Sequence, residues 1–316
     1  MDTNVAFATG TEVLQIKGSV GPASGNVEHD GDVHVAGDVD DLYQVSATGN
    51  VTVVGVIGAA QVRCGKDLVT AGGIAGKSKA LCIVGGNVKA KHVSNANVEV
   101  SGNIVADSMV WESTVRCGGN LTVENGPVAA STVTVAGCVA CRSLGLHSQA
   151  PTLLEVGINE FLRRVAARSM PQIQILRKKL AQLHEAIASA EHFAKVLTPK
   201  ARELAMEQLF EADEMQAALN RQMDLIRAAA KSFSATESPR IIVAEMVHPG
   251  VTVRVPHFEA VTACSFKGPL RIELGRVGNV PQIVLLETES KSCTPLQSHR
   301  WDDPVMGPLE RLLAAR

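Results

Sequence analysis

"GDVHVAGDV", residues 31–39, is the stretch that decides the fold, because the order glycine, aspartate, valine occurs in it twice. The order of glycine, Asn or Asp, and an aliphatic residue then returns along the chain, for example as "SATGNV" ending at Val51 and "EVSGNI" ending at Ile104. We call the residue before that aliphatic residue the anchor of each copy. The anchors are Asp32, Asn50, Asp67, Asn87, Asn103, Asn120 and Cys138.

The anchors recur at steps of 16 to 20 residues, which indicates a structural repeat. Glycine precedes every anchor except Asp67, which follows Lys66, and glycine at a corner indicates a positive φ or a close approach of two backbones. Asn and Asp suit the anchor position because they bond locally to the backbone. Short strands between such corners cannot bury an apolar face alone, whereas stacked coils can.

The repeat therefore predicts a parallel β-helix with about 18 residues per coil. A left-handed hexapeptide helix has the same coil length, but we expect it to carry an aliphatic residue at every sixth position. The sequence does not show that pattern in our interpretation, so we predict the right-handed form. The six acidic or amide anchors from Asp32 to Asn120 are predicted to form a structural ladder of corners.

A different period, typical of paired helices, begins near Pro171. Apolar residues alternate there at steps of three and four, which is the seam of a heptad helix. The first seam is Ile173, Leu176, Leu180, Leu183, Ile187, Ala190, Ala194 and Leu197, and the second is Leu209, Ala212, Gln216, Leu219, Met223, Ile226, Ala230 and Phe233. Between them, Thr198 is a suitable N-cap and Pro199 a suitable first helical residue. The pattern predicts an antiparallel coiled-coil hairpin, with its main contacts at Leu176, Leu180, Leu183, Ile187, Leu219, Met223 and Ile226.

Short β-branched segments such as "IIVAEMV" and "GVTVRV" return after Pro239. The predicted fold class is mainly β with an α insertion: a right-handed parallel β-helix from which a helical hairpin protrudes. We expect the β-helix over residues 1–155, the hairpin over 156–237, and returning strands that continue or cap the β-helix over 238–290. Residues 291–316 form a polar tail that is either flexible or docked through the amphipathic stretch "MGPLERLLAAR".

The composition argues against several classes of function. The net charge is −2 and aromatic residues make up 3 % of the chain, so it offers neither a basic surface nor stacking platforms for nucleic acid. No apolar run approaches the roughly 20 residues of a membrane span, and the start lacks the pattern of a signal peptide. Seven cysteines at irregular spacing do not suggest a disulfide framework. We therefore expect a cytoplasmic protein with reduced thiols, no membrane insertion and no nucleic-acid partner.

Two motifs carry residue types that catalysis or metal binding would use. The stretch "VEHDGDVHVAGDVDD", residues 27–41, holds Asp30 and Asp32, and a carboxylate pair can cleave glycosides. Its simpler interpretation is a first corner anchor beside solvated strand residues, since no aromatic platform for a sugar accompanies it. Cys138 and Cys141 in "CVAC" have the spacing of metal ligands, but a structural zinc site needs four. We predict no catalytic residue, no cofactor and no metal.

The order and spacing of all these parts are more specific than any single motif. The run of coils is followed by "EVGIN" at 155–159, a helical hairpin with "TPKARE" at 198–203, and a strand "HPGVTV" at 248–253. From residue 25 to about 287 this order resembles the flagellar assembly protein A (FapA) family. The resemblance implies a cytoplasmic β-helix with a protruding coiled coil, a connection to flagella and cell poles, and no established catalytic residues. Family members generally carry a further N-terminal domain, whereas this chain begins almost at the coils.

The favoured hypothesis is a non-enzymatic scaffold that binds other proteins, with flagellar or polar components as the expected partners, through its β-helix faces and its coiled-coil arm. A second hypothesis is a structural polymer similar to the bactofilins, whose β-helices stack end to end through unpaired strand edges. A third is a carbohydrate-active enzyme that substitution of Asp30 or Asp32 by alanine would inactivate. Formation of a homo-oligomer, through hairpin pairing or lateral sheet contacts, stays open.

Overall fold

Parallel β-strands dominate the fold of this chain. The computed structural model describes residues 13–148, 150–192, 199–232, 238–288 and 292–314. In chain order the strands are β1 Val13–Ile16, β2 Val27–His29, β3 Asp32–Val35, β4 Gln44–Ala47, β5 Val51–Val53, β6 Gln61–Cys64, β7 Leu68–Thr70, β8 Ile74–Val84, β9 Val88–Val100, β10 Ile104–Trp111, β11 Thr114–Cys117, β12 Leu121–Ala129, β13 Thr132–Val135, β14 Val139–Leu144, β15 Thr152–Val156, β16 Arg240–Val247, β17 Val251–Val255, β18 Phe258–Val261, β19 Phe266–Lys267, β20 Leu270–Val277, β21 Val280–Glu287, β22 Cys293–Pro295 and β23 Ser298–Arg300. The helices are α1 Glu160–His192, α2 Pro199–Ser232 and α3 Met306–Ala314.

Contacts divide the chain into two compact units. The first holds residues 1–160 and 235–302, and therefore all the strands. The second holds residues 161–234 and 303–316, and therefore nearly all of the helical residues. The helices α1 and α2 are thus inserted in the sequence between β15 and β16, two strands of the same β-unit.

Three parallel ladders build the first unit, and the successive coils add one segment at a time to each. The first ladder joins β1, β3, β5, β7, the start of β9, β10, β12, β14 and β16. The second joins β2, β4, β6, the end of β8, the end of β9, β11, β13, β15 and β17. The third passes through Val20, Val39, Ile57, Ile74, Val93, Val110, Val128, Leu144 and Val247. The predicted parallel β-helix, a β-solenoid with a helical insertion, is confirmed.

Aliphatic side chains fill the interior of the solenoid. In one coil Val33, Val39 and Val45 lie on the first, third and second ladder, before Val51 returns to the first, and each is at most 1 % exposed. These positions are six residues apart, so our statement that the sequence lacks a six-residue aliphatic step is wrong. Each of the three faces takes about six residues, because inward and outward side chains alternate along a short strand and a corner follows. The step therefore does not distinguish the two hands, and right-handed winding stays a prediction.

Two long helices make up most of the second unit. α1 has 33 residues and α2 has 34, so each is about 50 Å long at 1.5 Å per residue. α1 begins at Glu160 and continues through Pro171, where we expected the first arm to start. A proline inside a helix removes one hydrogen bond, and the full burial of Ala166 and Ile173 on either side offsets that loss. α2 begins at Pro199 as expected. Thr198, Ala194, Leu197 and Phe233 and the side chain of Ala190 lie outside the described part of the chain.

The two helices share one apolar cluster. Its buried members are Ala166, Ile173, Leu180, Ala212, Leu219, Met223 and Ile226, and its partly buried members are Val165, Met170, Leu176, Leu183, Ile187, Met215, Val305 and Met306. Leu209, which we placed in the second seam, is 51 % exposed, so that assignment is wrong. Apolar spacing marks a face of a helix but does not show whether a partner covers it. The antiparallel coiled-coil geometry of the pair stays a prediction.

The last coil of the solenoid reverses its direction. After β17 the chain turns at His257, which has a φ of 69°, and β18 pairs antiparallel with β17. β19 and then β20 pair antiparallel with the end and the start of β16. The chain thus visits the second, third and first ladder, opposite to the order of the preceding coils. Antiparallel strands therefore follow the last parallel coil on all three ladders.

Candidate functional site

The six predicted anchors form a continuous row of hydrogen bonds along the solenoid. The Oδ1 atom of each anchor accepts a hydrogen bond from the backbone N–H of the next anchor. The N···O distances are 2.7 Å for Asp32 and Asn50, 3.2 Å for Asn50 and Asp67, 2.7 Å for Asp67 and Asn87, 2.9 Å for Asn87 and Asn103, 2.9 Å for Asn103 and Asn120, and 2.7 Å for Asn120 and Cys138. Each bond pairs a corner N–H that no strand ladder pairs, so the row stabilises the stack.

The glycine before each anchor leaves room for this oxygen. At Gly49, Gly119 and Gly137 an added Cβ would lie 2.1 to 2.4 Å from the Oδ1 of the anchor one coil earlier. None of these three glycines has a positive φ. Glycine is therefore required at these positions by the close approach of the oxygen and not by the backbone conformation. Where Lys66 replaces the glycine, the hydrogen bond is the longest of the row, at 3.2 Å. The glycine of one coil and the anchor of the preceding coil therefore act together, because the glycine leaves the space that the anchor oxygen occupies.

The acidic opening stretch makes bonds of the same kind. Each of three aspartates accepts a hydrogen bond from a residue 18 positions later: Asp30 from the Thr48 hydroxyl at 2.7 Å, Asp38 from the Val56 N–H at 2.6 Å, and Asp41 from the Ala59 N–H at 2.8 Å. The backbone N–H of Asn50, and then its side chain, lower the pKa of Asp32. Lys77 also donates to Asp41 at 2.6 Å. These carboxylates hold successive coils together.

A shallow groove of about 520 Å³ lies beside this stretch. Its lining includes Asp38, Asp41, Tyr43 and Lys77. Asp30 and Asp32, the pair named by the enzyme hypothesis, do not line the groove. The structure therefore does not place the carboxylate pair of the enzyme hypothesis in this groove.

The cysteines of the solenoid are mostly buried. Burial raises the pKa of Cys82 and Cys141 to about 12 and that of Cys117 to about 11. Cys138 is a partly exposed corner residue, whereas Cys141 lies on β14 with its side chain buried. Within the ranges that the structure describes, no group of three or more His, Cys, Asp or Glu side chains is placed to hold a metal ion.

A row of charged side chains runs along the outward positions of the second ladder, and our sequence analysis missed it. Strand register aligns Glu99, Arg116, Thr134, Glu155, Arg254 and Glu259. Arg116 lies 3.3 Å from Glu99, and Arg254 lies 3.3 Å from the 5 % exposed Glu155 and pairs with Glu259. The Arg254 guanidinium also lies 4.9 Å from the centre of the Trp301 ring. Only the coil register could have indicated these pairs, because Glu155 and Arg254 are separated by the inserted helices.

All seven residues of the predicted hairpin seam belong to the apolar cluster of the two helices. Leu180, Leu219, Met223 and Ile226 are buried, and Leu176, Leu183 and Ile187 are partly buried against them. The seam residues therefore hold α1 and α2 together and are not free to bind a partner. A binding surface on this insertion has to be sought on its outer faces.

The C-terminal helix α3 belongs to the same unit as α1 and α2. The Arg163 guanidinium donates to Asp303 at 2.9 Å from its Nε atom. The other oxygen of Asp303 accepts the N–H groups of Val305 and Met306, at 2.8 and 2.9 Å, and so caps α3. Val305 and Met306 pack against the shared cluster. Arg163 and Asp303 are 140 residues apart in the sequence, and no periodicity connects them.

None of the helices in the described part of the chain combines the length and the apolar character that crossing a membrane requires.

Residues 12–267, which span the three ladders and the two long helices, match the family described as Flagellar Assembly Protein A beta solenoid domain. This chain belongs to the FapA family. No curated protein and no solved structure matches it. The FapA match confirms the resemblance that the order of coils, hairpin and returning strand indicated. It also connects the chain to flagellar assembly.

Proposed function

We propose that this FapA chain is a non-enzymatic cytoplasmic scaffold that binds protein components of flagellar assembly or of the cell pole. The observation that carries the proposal is the family match over residues 12–267. A solenoid whose corners and charged rows are bonded from coil to coil is rigid, and it presents long side faces at fixed spacing. A helical insertion adds a surface of a kind that partner helices recognise.

The acidic residues support a scaffold better than they support an enzyme. Asp30, Asp32, Asp38 and Asp41 each hold a donor one coil away. A catalytic carboxylate pair would instead converge on one substrate position in a cleft. These bonds between coils therefore explain the four aspartates without assigning them a catalytic role.

The reversed coil argues against filaments that grow end to end. Such growth pairs the strand edges at one end of a β-helix with those at the other. Here β18, β19 and β20 run antiparallel beyond the last parallel coil. A second copy that continued the parallel ladders at that end would meet these strands instead of free parallel edges.

Genetic complementation in the native cell tests the proposal. A strain that lacks the gene should lose flagella or place them wrongly, and the full chain should restore them. Asp30→Ala, which removes the carboxylate that an enzyme would need, should restore them equally well. A chain without residues 171–233 should fail and should retain fewer cytosolic proteins in a pull-down. Normal flagella in the deletion strain, or failure of Asp30→Ala to complement while the variant remains folded, would overturn the proposal.

A further inference from the structure

The first third of α2 exposes an unusual amount of apolar surface. Leu204, Met206, Leu209 and Phe210 are 55 %, 73 %, 51 % and 67 % exposed. Met206, Leu209 and Phe210 lie within about 100° of one another around the helix axis, whereas Leu204 lies on another side, and we call Met206, Leu209 and Phe210 the Phe210 face. Surface apolar residues are common when they are scattered singly, but three large ones on one side of a helix form a patch that indicates an interaction site.

The partner helix α1 does not cover this face. On α2 the shared apolar cluster consists of Ala212, Met215, Leu219, Met223 and Ile226. Between Lys200 and Glu211 no side chain that the structure describes is buried. Helical spacing places Met206 and Phe210 on the side of α2 opposite to these cluster members.

Acidic side chains predominate beside the Phe210 face. Five exposed acidic residues lie between positions 203 and 214, namely Glu203, Glu207, Glu211, Asp213 and Glu214. Arg202 lies one turn before Met206, and the sequence has no Lys or Arg between positions 203 and 220. Helical spacing places Glu203, Glu207 and Glu214 on the side of the helix that carries Met206 and Phe210. The surface is thus an apolar stripe with an acidic border.

This combination selects the chemistry of the occupant. A helix that docks here needs apolar side chains spaced by three and four residues, and Lys or Arg on either side to pair with the acids. A second copy of this chain fits poorly, because two Phe210 faces in contact would bring their glutamates together. Its own basic stretch, Arg177 to Lys179, has only Ile175 as an exposed large apolar residue in the described part of α1.

We propose that the Phe210 face docks a basic amphipathic helix of a partner protein. The proposal deepens the scaffold function, on which it rests, by naming the segment of the insertion that makes contact and the chemistry of what it contacts. The apolar stripe supplies affinity, and the acidic border selects the sign of the partner's charge.

The test uses the full chain and two labelled peptides of about 18 residues, or five helical turns. Both carry leucines spaced by three and four residues. One has lysines beside the leucines, and its counterpart has a glutamate at each lysine position. Fluorescence anisotropy at physiological ionic strength measures binding. The lysine peptide should bind at least about tenfold more tightly than the glutamate peptide.

Three variants identify the surface. Met206→Ala combined with Phe210→Ala should weaken binding of the lysine peptide by about tenfold or more, as expected for the central residues of an interface. Glu207→Lys combined with Glu214→Lys should reverse the preference toward the glutamate peptide. Leu225→Ala is the matched control, because Leu225 is equally exposed on α2, at 60 %, but lies beside Arg221 and outside the acidic segment. It should leave binding unchanged.

Equal binding of both peptides, or binding that the double alanine variant leaves unchanged, would overturn the proposal. A dimer in sedimentation velocity that dissociates in Met206→Ala, Phe210→Ala would also overturn it, because a second copy would then occupy the face. The docking proposal and the scaffold function can fail independently of each other. Loss of peptide binding with intact complementation would refute only the docking surface, and peptide binding with no flagellar defect in the deletion strain would refute only the scaffold function.

Discussion

At the scale of single residues, the solenoid depends on pairing an anchor oxygen with a glycine one coil later. At Gly119, for example, the Oδ1 of Asn103 occupies the volume where a Cβ would lie, and it accepts the N–H that follows. This explains why glycine and Asn or Asp occur together in the repeat. It also explains why the carbonyl-type side chains suit the anchor, since valine or serine could not reach the next coil in the same way.

Gly119→Ala should therefore destabilise the chain. Its Cβ would meet the Oδ1 of Asn103 at 2.4 Å and the carbonyl oxygen of Gly102 at 2.9 Å. We expect a loss of about 1 to 3 kcal/mol in the free energy of unfolding, as for other overpacked sites. Gly18→Ala is the matched control, because an added Cβ there meets nothing within 4 Å. Urea denaturation measures both variants, and equal stability would contradict this account of the repeat.

Thiol reactivity is a second prediction at this scale. Cys264 and Cys293 are exposed and should react quickly with a thiol reagent, whereas Cys82 and Cys141 are buried and have pKa values of about 12. Since the thiolate is the reactive form, the buried pair should react only when the chain unfolds. Cys138 is partly exposed, so it is replaced as well, and a Cys138→Ser, Cys264→Ser, Cys293→Ser variant should lose the fast phase. Persistence of that phase would mean that the buried thiols are accessible.

Sequence predicts the corner ladder well because its bonds connect residues at similar offsets, from 16 to 20 residues. Asp32 and Asn50 stand at equivalent positions of neighbouring repeats, so aligning the repeats aligns the partners. The charged pair of Glu155 and Arg254 follows the same register, yet the inserted helices separate its members by 99 residues. The repeat alignment stops before the insertion, so it does not reach this pair.

At the scale of elements, α3 is fastened to α1 through one carboxylate. Asp303 both accepts from Arg163 and caps α3, and its side chain is only 8 % exposed. Asp303→Ala removes both interactions and leaves a partly buried guanidinium without this partner. We expect a loss of about 2 to 4 kcal/mol in the stability of the helical unit.

Hydrogen exchange measures this effect directly, because the amides of Val305 and Met306 donate to Asp303. Their exchange should become faster in Asp303→Ala. Asp303→Asn is the matched variant, since asparagine also caps helices but carries no charge to pair with Arg163. It should protect these amides better than alanine does. Unchanged exchange in the alanine variant would show that α3 is held by its apolar contacts alone.

The helical pair also shows what an apolar pattern leaves open. The seam from Leu176 to Ile226 was readable because steps of three and four mark one face of a helix. Leu209 continues the same spacing but is exposed. Whether a residue at this spacing is buried depends on where the partner helix packs against it. The sequence pattern does not contain that information.

At the scale of the whole molecule, stability should depend on pH through partly buried imidazoles. Desolvation, and then the neighbouring His147, lower the pKa of His248, and desolvation, then Lys91, lowers that of His92. The His147 and His248 rings are 4.7 Å apart between centres. The unfolded chain therefore binds protons more readily than the folded chain, so stability falls as pH drops below about 6.5.

Thermal melting at pH 7.5 and at pH 5.5 tests this dependence. In the unmodified chain the melting temperature should be lower at pH 5.5 than at pH 7.5. The fall should be about 2 to 4 °C for each kcal/mol lost from the free energy of unfolding. His248→Gln should show a smaller fall, and His184→Gln, an exposed control on α1, should match the unmodified chain. The same pH dependence in all three proteins would show that His248 does not couple protonation to folding.

The reversed coil also limits how proteins of this design can differ in length. Whole repeats can be gained or lost upstream of β16 without disturbing the strands that close the stack, since each new coil offers its neighbours the same edges as the one it replaces. A partial repeat cannot be gained or lost in this way, because it would shift the inward side chains that follow it out of register with the neighbouring coil. Relatives should accordingly vary in size by increments of one turn of the solenoid, each increment lengthening the distance between surfaces near the two ends by about 4.8 Å. Duplication of one repeat would thus adjust the spacing at which partners are held without redesign of either end.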